Sequence, residues 1–366
     1  MTIAPLEGPQ GPTPPAPTPT LAIVIVNFNS WPDCELLVEA MAAALSRSDG
    51  RCELILVDNA SDDPPPPGLR GRPGIRVLLR PDNAGFAAGV NTAWRESAAR
   101  WLLLLNPDTL AEPDLPAKIV ARIDAYEARP GGPPGIVGFA LSNEDGTRQH
   151  SVGSFPTLFG CLREACTPRS RRKYWSLDRT RPGPVPWVTG ACLLVQGSVL
   201  EQLGGMDDDF FLYHEEVALC RSASDRGWSV EFDEAITLKH LHPLQSRGVS
   251  PVLRVVTRHS KLLYFFKFRP RWEALVLARV IDCEARLRQA ACRWLGRSAE
   301  ANAWMAVGWI ARTLDADRGL RGVDVRRFAE RTVRGRSPGI RSRTPRGGRD
   351  SRRIGPIRLD DRPRSR

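Results

Sequence analysis

At 366 residues and 42% hydrophobic content, the chain is long enough for one large domain or two modest ones, and no window approaches the run of about 18 apolar residues that marks a membrane-spanning helix. Its eight cysteines lack CxxC or CxxH spacing, which argues against a zinc site or disulfide framework and for reduced thiols in a cytosolic protein. The net charge of +11 is concentrated at the end, where residues 333–366 hold twelve arginines against three aspartates in a Gly/Pro/Ser context that builds no core.

Residues 1–20 contain seven prolines and neither the basic nor the apolar stretch of a secretory signal, so a stiff, solvated leader is expected. Apolar runs of strand length then recur at "LAIVIVNFN" (21–29), "CELILVDN" (52–59), "IRVLL" (75–79), "RWLLLLN" (100–106) and "GIVGFAL" (135–141). They are continuous, as in strands covered on both faces of a parallel sheet. Helical patterns at 33–47, 85–99 and 113–129 separate them, and this rhythm predicts a doubly wound α/β domain. GxGxxG after the first strand and a GxxxxGK[ST] loop are both absent, which removes the main support for dinucleotide or P-loop chemistry.

Three of these strands end in polar residues: Asn27-Phe28-Asn29, Asp58-Asn59 and Asn106-Pro107-Asp108. One such end is an ordinary turn, but three on one edge make a crevice of the kind in which open α/β sheets bind ligands. "RPDNAGFAAGVNTAW" (80–94) sets Asn83 before a helix whose Gly85 and Gly89 share a face. That bare face can admit a flat or phosphorylated ligand, or it can serve close helix–strand packing.

Beyond Leu141 the pattern loosens. A hairpin is expected around Asp145-Gly146, a basic loop at 167–183, a strand at "WVTGACLLVQ" (187–196) and one or two more at 229–242. In "MDDDFFLYHEEVALCR" (206–221), Glu215 and Glu216 open a helix. Acidic residues there complement the helix dipole, and a carboxylate among aromatics can also act as a general base. "KHLHP" places His240 and His242 two apart after a strand, a spacing open to metal ligation or to plain structural histidines. From Val255 to about Arg331 the chain reads as amphipathic helix, with Trp272, Leu275, Leu277, Ile281 and Leu287 among basic residues. Packing on its own domain is the simplest reading; a subunit interface or a membrane surface would use the same pattern.

Taken in order, "VIVNFNS" (24–30), "LVDNASDD" (56–63), "NAGFAAGVN" (83–91), "LLLNPD" (103–108), "WVTGACLLV" (187–195), "GGMDDDFFLYHEEVALCR" (204–221) and "KHLHP" (239–243) resemble the family 2 glycosyltransferases with the GT-A fold, rhamnosyltransferase-like branch. The resemblance spans roughly residues 20–265. It implies a GT-A domain at 21–254 (nucleotide-sugar half 21–140, acceptor and catalytic half 141–254), a helical region at 255–332 and a disordered Arg-rich tail at 333–366. It further implies that Asn27, Asn29, Asp58, Asn83, Gly85, Gly89 and Asn106 border the nucleotide-sugar. Thr189, Gly190 and Asp208 would flank the acceptor. Asp108, with His240 or His242, would hold Mg2+ or Mn2+, and Glu216 or Glu215 would be the base of an inverting transfer.

The expected donor is a nucleotide-diphosphate sugar, with dTDP-L-rhamnose suggested by the branch, and the acceptor a saccharide or lipid-linked saccharide. A cytoplasmic location is expected, with peripheral contact at the inner membrane face as an option. The basic tail suits anionic headgroups at least as well as nucleic acid, because it lacks interleaved aromatics. Two departures stand out: the family usually has Glu-Asp at 215–216, and often another acidic residue at Ala218. A nucleotidyltransferase is the competing enzyme reading, though "NFNSWPDC" lacks its basic, glycine-rich loop. A non-catalytic protein recruited through the tail is the reading from another class.

Overall fold

The computed structural model describes residues 18–165, 182–241, 248–315 and 318–335. His242, Cys166, the body of the Pro-rich leader and nearly all of the Arg-rich tail lie outside these residues. In the first half β1 (Leu21–Asn27), α1 (Trp31–Ser46), β2 (Cys52–Asp58), β3 (Ile75–Leu79), α2 (Phe86–Glu96), β4 (Trp101–Leu105), β5 (Thr109–Leu110), α3 (Leu115–Glu127) and β6 (Ile136–Ser142) follow one another. The second half holds β7 (Arg148–Gln149), β8 (Val152–Gly153), α4 (Leu158–Ala165), β9 (Gly183–Pro184), β10 (Trp187–Val188), β11 (Cys192–Gln196), α5 (Gly197–Leu203), α6 (Glu215–Ser224) and β12 (Val230–His240). The helices α7 (Pro251–Phe268), α8 (Arg271–Trp294), α9 (Ser298–Thr313) and α10 (Val323–Val333) complete the chain.

The main sheet runs in the order β3-β2-β1-β4-β11-β6-β12-β5. β1, β2, β3 and β4 are parallel, and β6 is parallel to β12. β11 runs antiparallel to both β4 and β6, so the sheet is mostly and not wholly parallel. The continuous apolar runs explain the layering. Leu21, Ile23, Ile25, Leu54, Leu56, Leu103 and Leu105 face α1 and α3, while Ala22, Val24, Ile55, Leu102 and Leu104 face the α2 side. Each such fully buried Val, Leu or Ile side chain is worth about 1.5–3 kcal/mol. Doubly covered strands of this kind form the expected GT-A-type frame.

"WVTGACLLVQ" divides where a single strand was expected. β10 pairs with β8, β11 joins the main sheet, and Thr189-Gly190-Ala191 turns between them. The last strand is one long β12 with a bulge between Asp233 and Thr237. The hairpin at Asp145-Gly146 pairs β6 with β7 as anticipated. α7 begins at Pro251, capped by the Ser250 hydroxyl, so the helical region opens a few residues before the expected boundary.

The C-terminal helices share a core with the segment around α6: Phe210, Val217 and Ala218 pack with Val255, Leu263, Leu277, Ile281 and Trp304. The apolar residues expected along this segment divide, with Leu277 and Ile281 buried and Trp272, Leu275 and Leu287 exposed.

Candidate active site

Parallel pairing aligns Asn27 with Asp58 at the ends of β1 and β2. Asn27 Nδ2 donates to Asp58 Oδ1 at 2.8 Å and to Ser61 Oγ at 3.1 Å, and Ser61 Oγ donates to the same carboxylate oxygen at 2.6 Å. The Ser61 amide donates to Asp58 Oδ2 at 3.0 Å. Asn29, at φ +55°, exchanges hydrogen bonds with Asp62 at 2.9 and 2.8 Å. The two strand ends are therefore one rigid polar unit, with Asn27 and Asp58 buried.

Beside this unit lies a cavity of about 500 Å3 with mainly apolar walls. Phe28, Asn59, Asn83, Phe86 and Phe211 line it from the sheet edge, and Val256 and Arg326 from the C-terminal helices. Asn59 is 2% exposed and spends its Nδ2 on Gly85 O at 3.0 Å, and its buried Oδ1 has no hydrogen-bond partner among the described residues. A buried orphan acceptor of this kind costs about 1–3 kcal/mol. The Arg326 guanidinium stacks 4.4 Å from the Phe28 ring centre and 5.9 Å from that of Phe211. Sequence reasoning did not single out Arg326, because it lies 298 positions from Phe28 in an amphipathic helix of ordinary composition.

Asn83 Oδ1 accepts from the Gly85 amide at 3.1 Å. Gly85, at φ +101°, approaches the backbone of Phe211 so closely that a Cβ would lie 2.1 Å from its carbonyl oxygen. Gly89 differs from expectation: a Cβ there would meet Val26 at 2.6 Å, so its bare face is filled by the β1 side chain and serves helix–strand packing, not a ligand surface. The same α2 helix holds the "GGMDDDFF" loop through Asn91, which donates to Met206 O at 2.8 Å and accepts from its amide at 2.7 Å.

The Asn106-Pro107-Asp108 segment is a turn, with Asn106 O accepting from the Thr109 amide at 3.2 Å and hydroxyl at 2.7 Å. It is also more than a turn. β12 pairs His240 opposite Thr109, which brings His240 Nε2 to 3.2 Å from Asp108 Oδ1. Gln149 Oε1 sits 2.8 Å from His240 Nδ1, while its Nε2 donates to Asn143 Oδ1 at 3.3 Å. That second bond orients the amide, so its oxygen accepts Nδ1–H and Nε2 is left to face Asp108. Gln149 went unnoticed in the sequence because only the β6–β7 hairpin carries it to the histidine.

Glu215 and Glu216 open α6 just after Tyr213 and His214, both in the left-handed region. Such backbone strain is typical of functional turns. Glu215 is 5% exposed and its Oε2 has no hydrogen-bond partner among the described residues. Burial, and then the charge of Glu216, hold its carboxyl well above the usual range. Glu216 is half-buried, and its Cβ lies 3.6 Å from where a Gly190 Cβ would stand. Thr189 N donates to Ser151 O at 2.8 Å, and Asn106 N donates to Ala191 O at 3.0 Å. Glu216, Thr189-Gly190, Asn106, Asp108 and His240 are thus joined around one edge of the sheet. Asp208 is exposed, its carbonyl against Gly322, while Asp207 and Asp209 both accept from Lys267 Nζ at 2.6 Å.

Asp108 and His240 offer one hard oxygen and one imidazole nitrogen. No cluster of three acidic, His or Cys ligands occurs among the described residues. The pair fits a divalent cation whose remaining positions are filled by water and substrate oxygens.

A profile described as Glycosyl transferase family 2 matches residues 22–204, half of the chain. Over 271 residues the chain is 27% identical to the N-acetylglucosaminyl-diphospho-decaprenol L-rhamnosyltransferase of Mycobacterium tuberculosis (strain ATCC 25618 / H37Rv), an alignment covering 69% of this chain and 85% of the relative. It is 26% identical over 234 residues to the low-salt glycan biosynthesis hexosyltransferase Agl10 of Haloferax volcanii, covering 61% of this chain and 68% of that protein. Among solved structures, the mannosyltransferase PcManGT from Pyrobaculum calidifontis in complex with GDP-Man and Mn2+ matches with a TM-score of 0.44 at 15% identity, over 81% of this chain and 87% of that one. On the family match, the chain is a glycosyltransferase and belongs to glycosyl transferase family 2.

Proposed function

We propose that this enzyme transfers a sugar with inversion from a nucleotide-diphosphate donor to a saccharide carried on a lipid, in the synthesis of a cell-envelope glycan. L-Rhamnose, from dTDP-L-rhamnose, is the sugar this reading favours, in keeping with the mycobacterial relative's being an L-rhamnosyltransferase. The observation that carries the reading is the ring of contacts from Glu216 through Gly190 and Asn106 to Asp108 and His240, beside a cavity suited to a nucleoside.

In this reading Asn27, Asn29 and Asp58 fix the nucleoside end of the donor. Asn59, Asn83 and Gly85 border it, and Arg326 caps it with a planar cation. Asp108 and His240 would hold Mg2+ or Mn2+, which when bound would offset charge on the departing diphosphate. Thr189 and Gly190 shape the acceptor side, and Asp208 stands at its rim. Glu216 takes the proton from the acceptor hydroxyl as that oxygen attacks the anomeric carbon. Glu215 stays protonated, because two adjacent carboxylates in a buried site do not both ionise readily. Protein in peripheral contact with a membrane would meet a lipid-linked acceptor directly; no described helix is long and apolar enough to cross one.

The test is transfer itself. Purified chain, Mn2+ and dTDP-L-rhamnose should glycosylate a prenyl-diphosphate-linked N-acetylglucosamine. Absence of product from any nucleotide-sugar in a panel, on any saccharide acceptor tried, would sink the reading.

A further inference from the structure

The outer face of α8 carries an apolar stripe that no described residue covers. Trp272, Val276, Val280, Leu287 and Trp294 recur at helical spacing along one side, and Trp272 is 62%, Leu287 75% and Trp294 87% exposed. The opposite side, centred on Ala274, Leu277, Ala278, Ile281 and Ala285, is buried against the other C-terminal helices. The stripe therefore takes no part in the packing of the described residues. Neighbouring α4 extends the patch with Phe159, 75% exposed, and Leu162. The Leu158 amide donates to Glu273 in the first turn of α8 at 3.4 Å, tying the two helices together. Exposed apolar residues scattered singly need no explanation, but a contiguous row over six turns of helix does.

Charge selects the occupant. Arg279, Arg286 and Arg293 are exposed in a row along one flank of the stripe, and Arg297 is exposed just past the end of α8. The acidic residues of α8 are spent within the protein: Glu273 on Arg269, Asp282 on Arg286 and Arg312, and Glu284 on Arg258 and Arg288. Arg279 and Arg293 have no ion pair among the described residues, and the face as a whole is cationic. A second copy of the same face would set these arginines against their like. An anionic lipid surface complements both the charge and the apolar row. The tryptophans sit at the two ends of a helix about 33 Å apart along its axis, and amphipathic rings of this kind favour the headgroup boundary. α8 is not long and apolar enough to cross a bilayer, so it would lie in the interface plane.

We propose that α8, with Phe159 and Leu162 of α4, is the surface by which this enzyme docks onto an anionic membrane, lying flat with its arginines among the headgroups. The proposal deepens the reading of a lipid-linked acceptor and rests on it for its biological sense. It is tested without donor or acceptor, so the two can fail separately.

The experiment is co-sedimentation of the full chain with vesicles of phosphatidylcholine alone and of phosphatidylcholine with phosphatidylglycerol in equal parts. Wild type is expected to bind the anionic vesicles and not the neutral ones. The double variant L287E/W294S is expected to bind at least about tenfold more weakly, and R279A/R293A/R297A to lose binding comparably. Both sets of substitutions fall on exposed positions, and W294S alone keeps the test alive if the double variant misfolds. Three results would overturn the proposal: no vesicle binding by wild type; binding indifferent to L287E/W294S but abolished by salt, which would assign it to the basic tail; or a wild-type dimer that L287E/W294S makes monomeric, which would make the stripe an interface between copies.

Discussion

Of the two adjacent glutamates, burial separates their tasks. Glu215 is buried, and burial and then the charge of Glu216 hold its carboxyl well above the usual range, while Glu216 is half-buried beside Gly190. E216Q should lower kcat by about 10²–10⁴-fold while leaving donor affinity within twofold, measured by steady-state transfer and by direct binding. E215Q should keep most of the activity and change the pH dependence of stability. The Glu215 carboxyl has a folded pKa above its ordinary 4.5, so its contribution is fully present below that value and is lost as pH rises through the folded pKa. Thermal melts should therefore show E215Q more stable than wild type at pH 8, with the difference fading as the pH falls toward about 4. A melt difference that grows on acidification would contradict the assignment. At His240, Q149A should weaken activation by Mn2+ roughly 10–100-fold by releasing the imidazole from its Nδ1 partner, read as a rise in the metal concentration for half-maximal activity.

Among the elements, the site depends on how α2 meets the loop before α6. Gly85 has both a left-handed φ and a Cβ position occupied by the Phe211 backbone, so G85A should destabilise by about 1–3 kcal/mol and displace the glutamates. A lower melting temperature accompanied by lost activity would bear this out, and an unaltered enzyme would refute it. α10 meets the same cavity from the far end of the chain. R326A should weaken donor binding roughly tenfold without changing the acceptor KM, because the guanidinium stacks at Phe28 and not at Glu216. The strands and first helices were legible from continuous apolar runs, and the polar strand ends from their position after those runs. Three things were not. Gly89 reads identically as ligand surface or packing until Val26 is seen against it. The antiparallel entry of β11 depends on a chain reversal through Thr189-Gly190 that no local pattern announces. Gln149 and Arg326 reach the site only through tertiary contacts.

The molecule as a whole is one frame with two faces of consequence. The sheet edge gathers the groups proposed to meet nucleoside, diphosphate and acceptor proton from residues more than 200 positions apart in sequence, between Asn27 and His240. The C-terminal helices close the cavity on one side and show an apolar, cationic stripe on the other. In the proposed reading the donor would complete the metal shell, since among the described residues Asp108 and His240 would supply two protein ligands. Calorimetric titration of the full chain with a panel of nucleotide-diphosphate sugars, with and without Mn2+, tests that account most directly. One donor should bind only when the metal is present, and Mn2+ alone should bind weakly. Tight binding of Mn2+ to the protein without a donor, or no binding of any nucleotide-sugar, would contradict it.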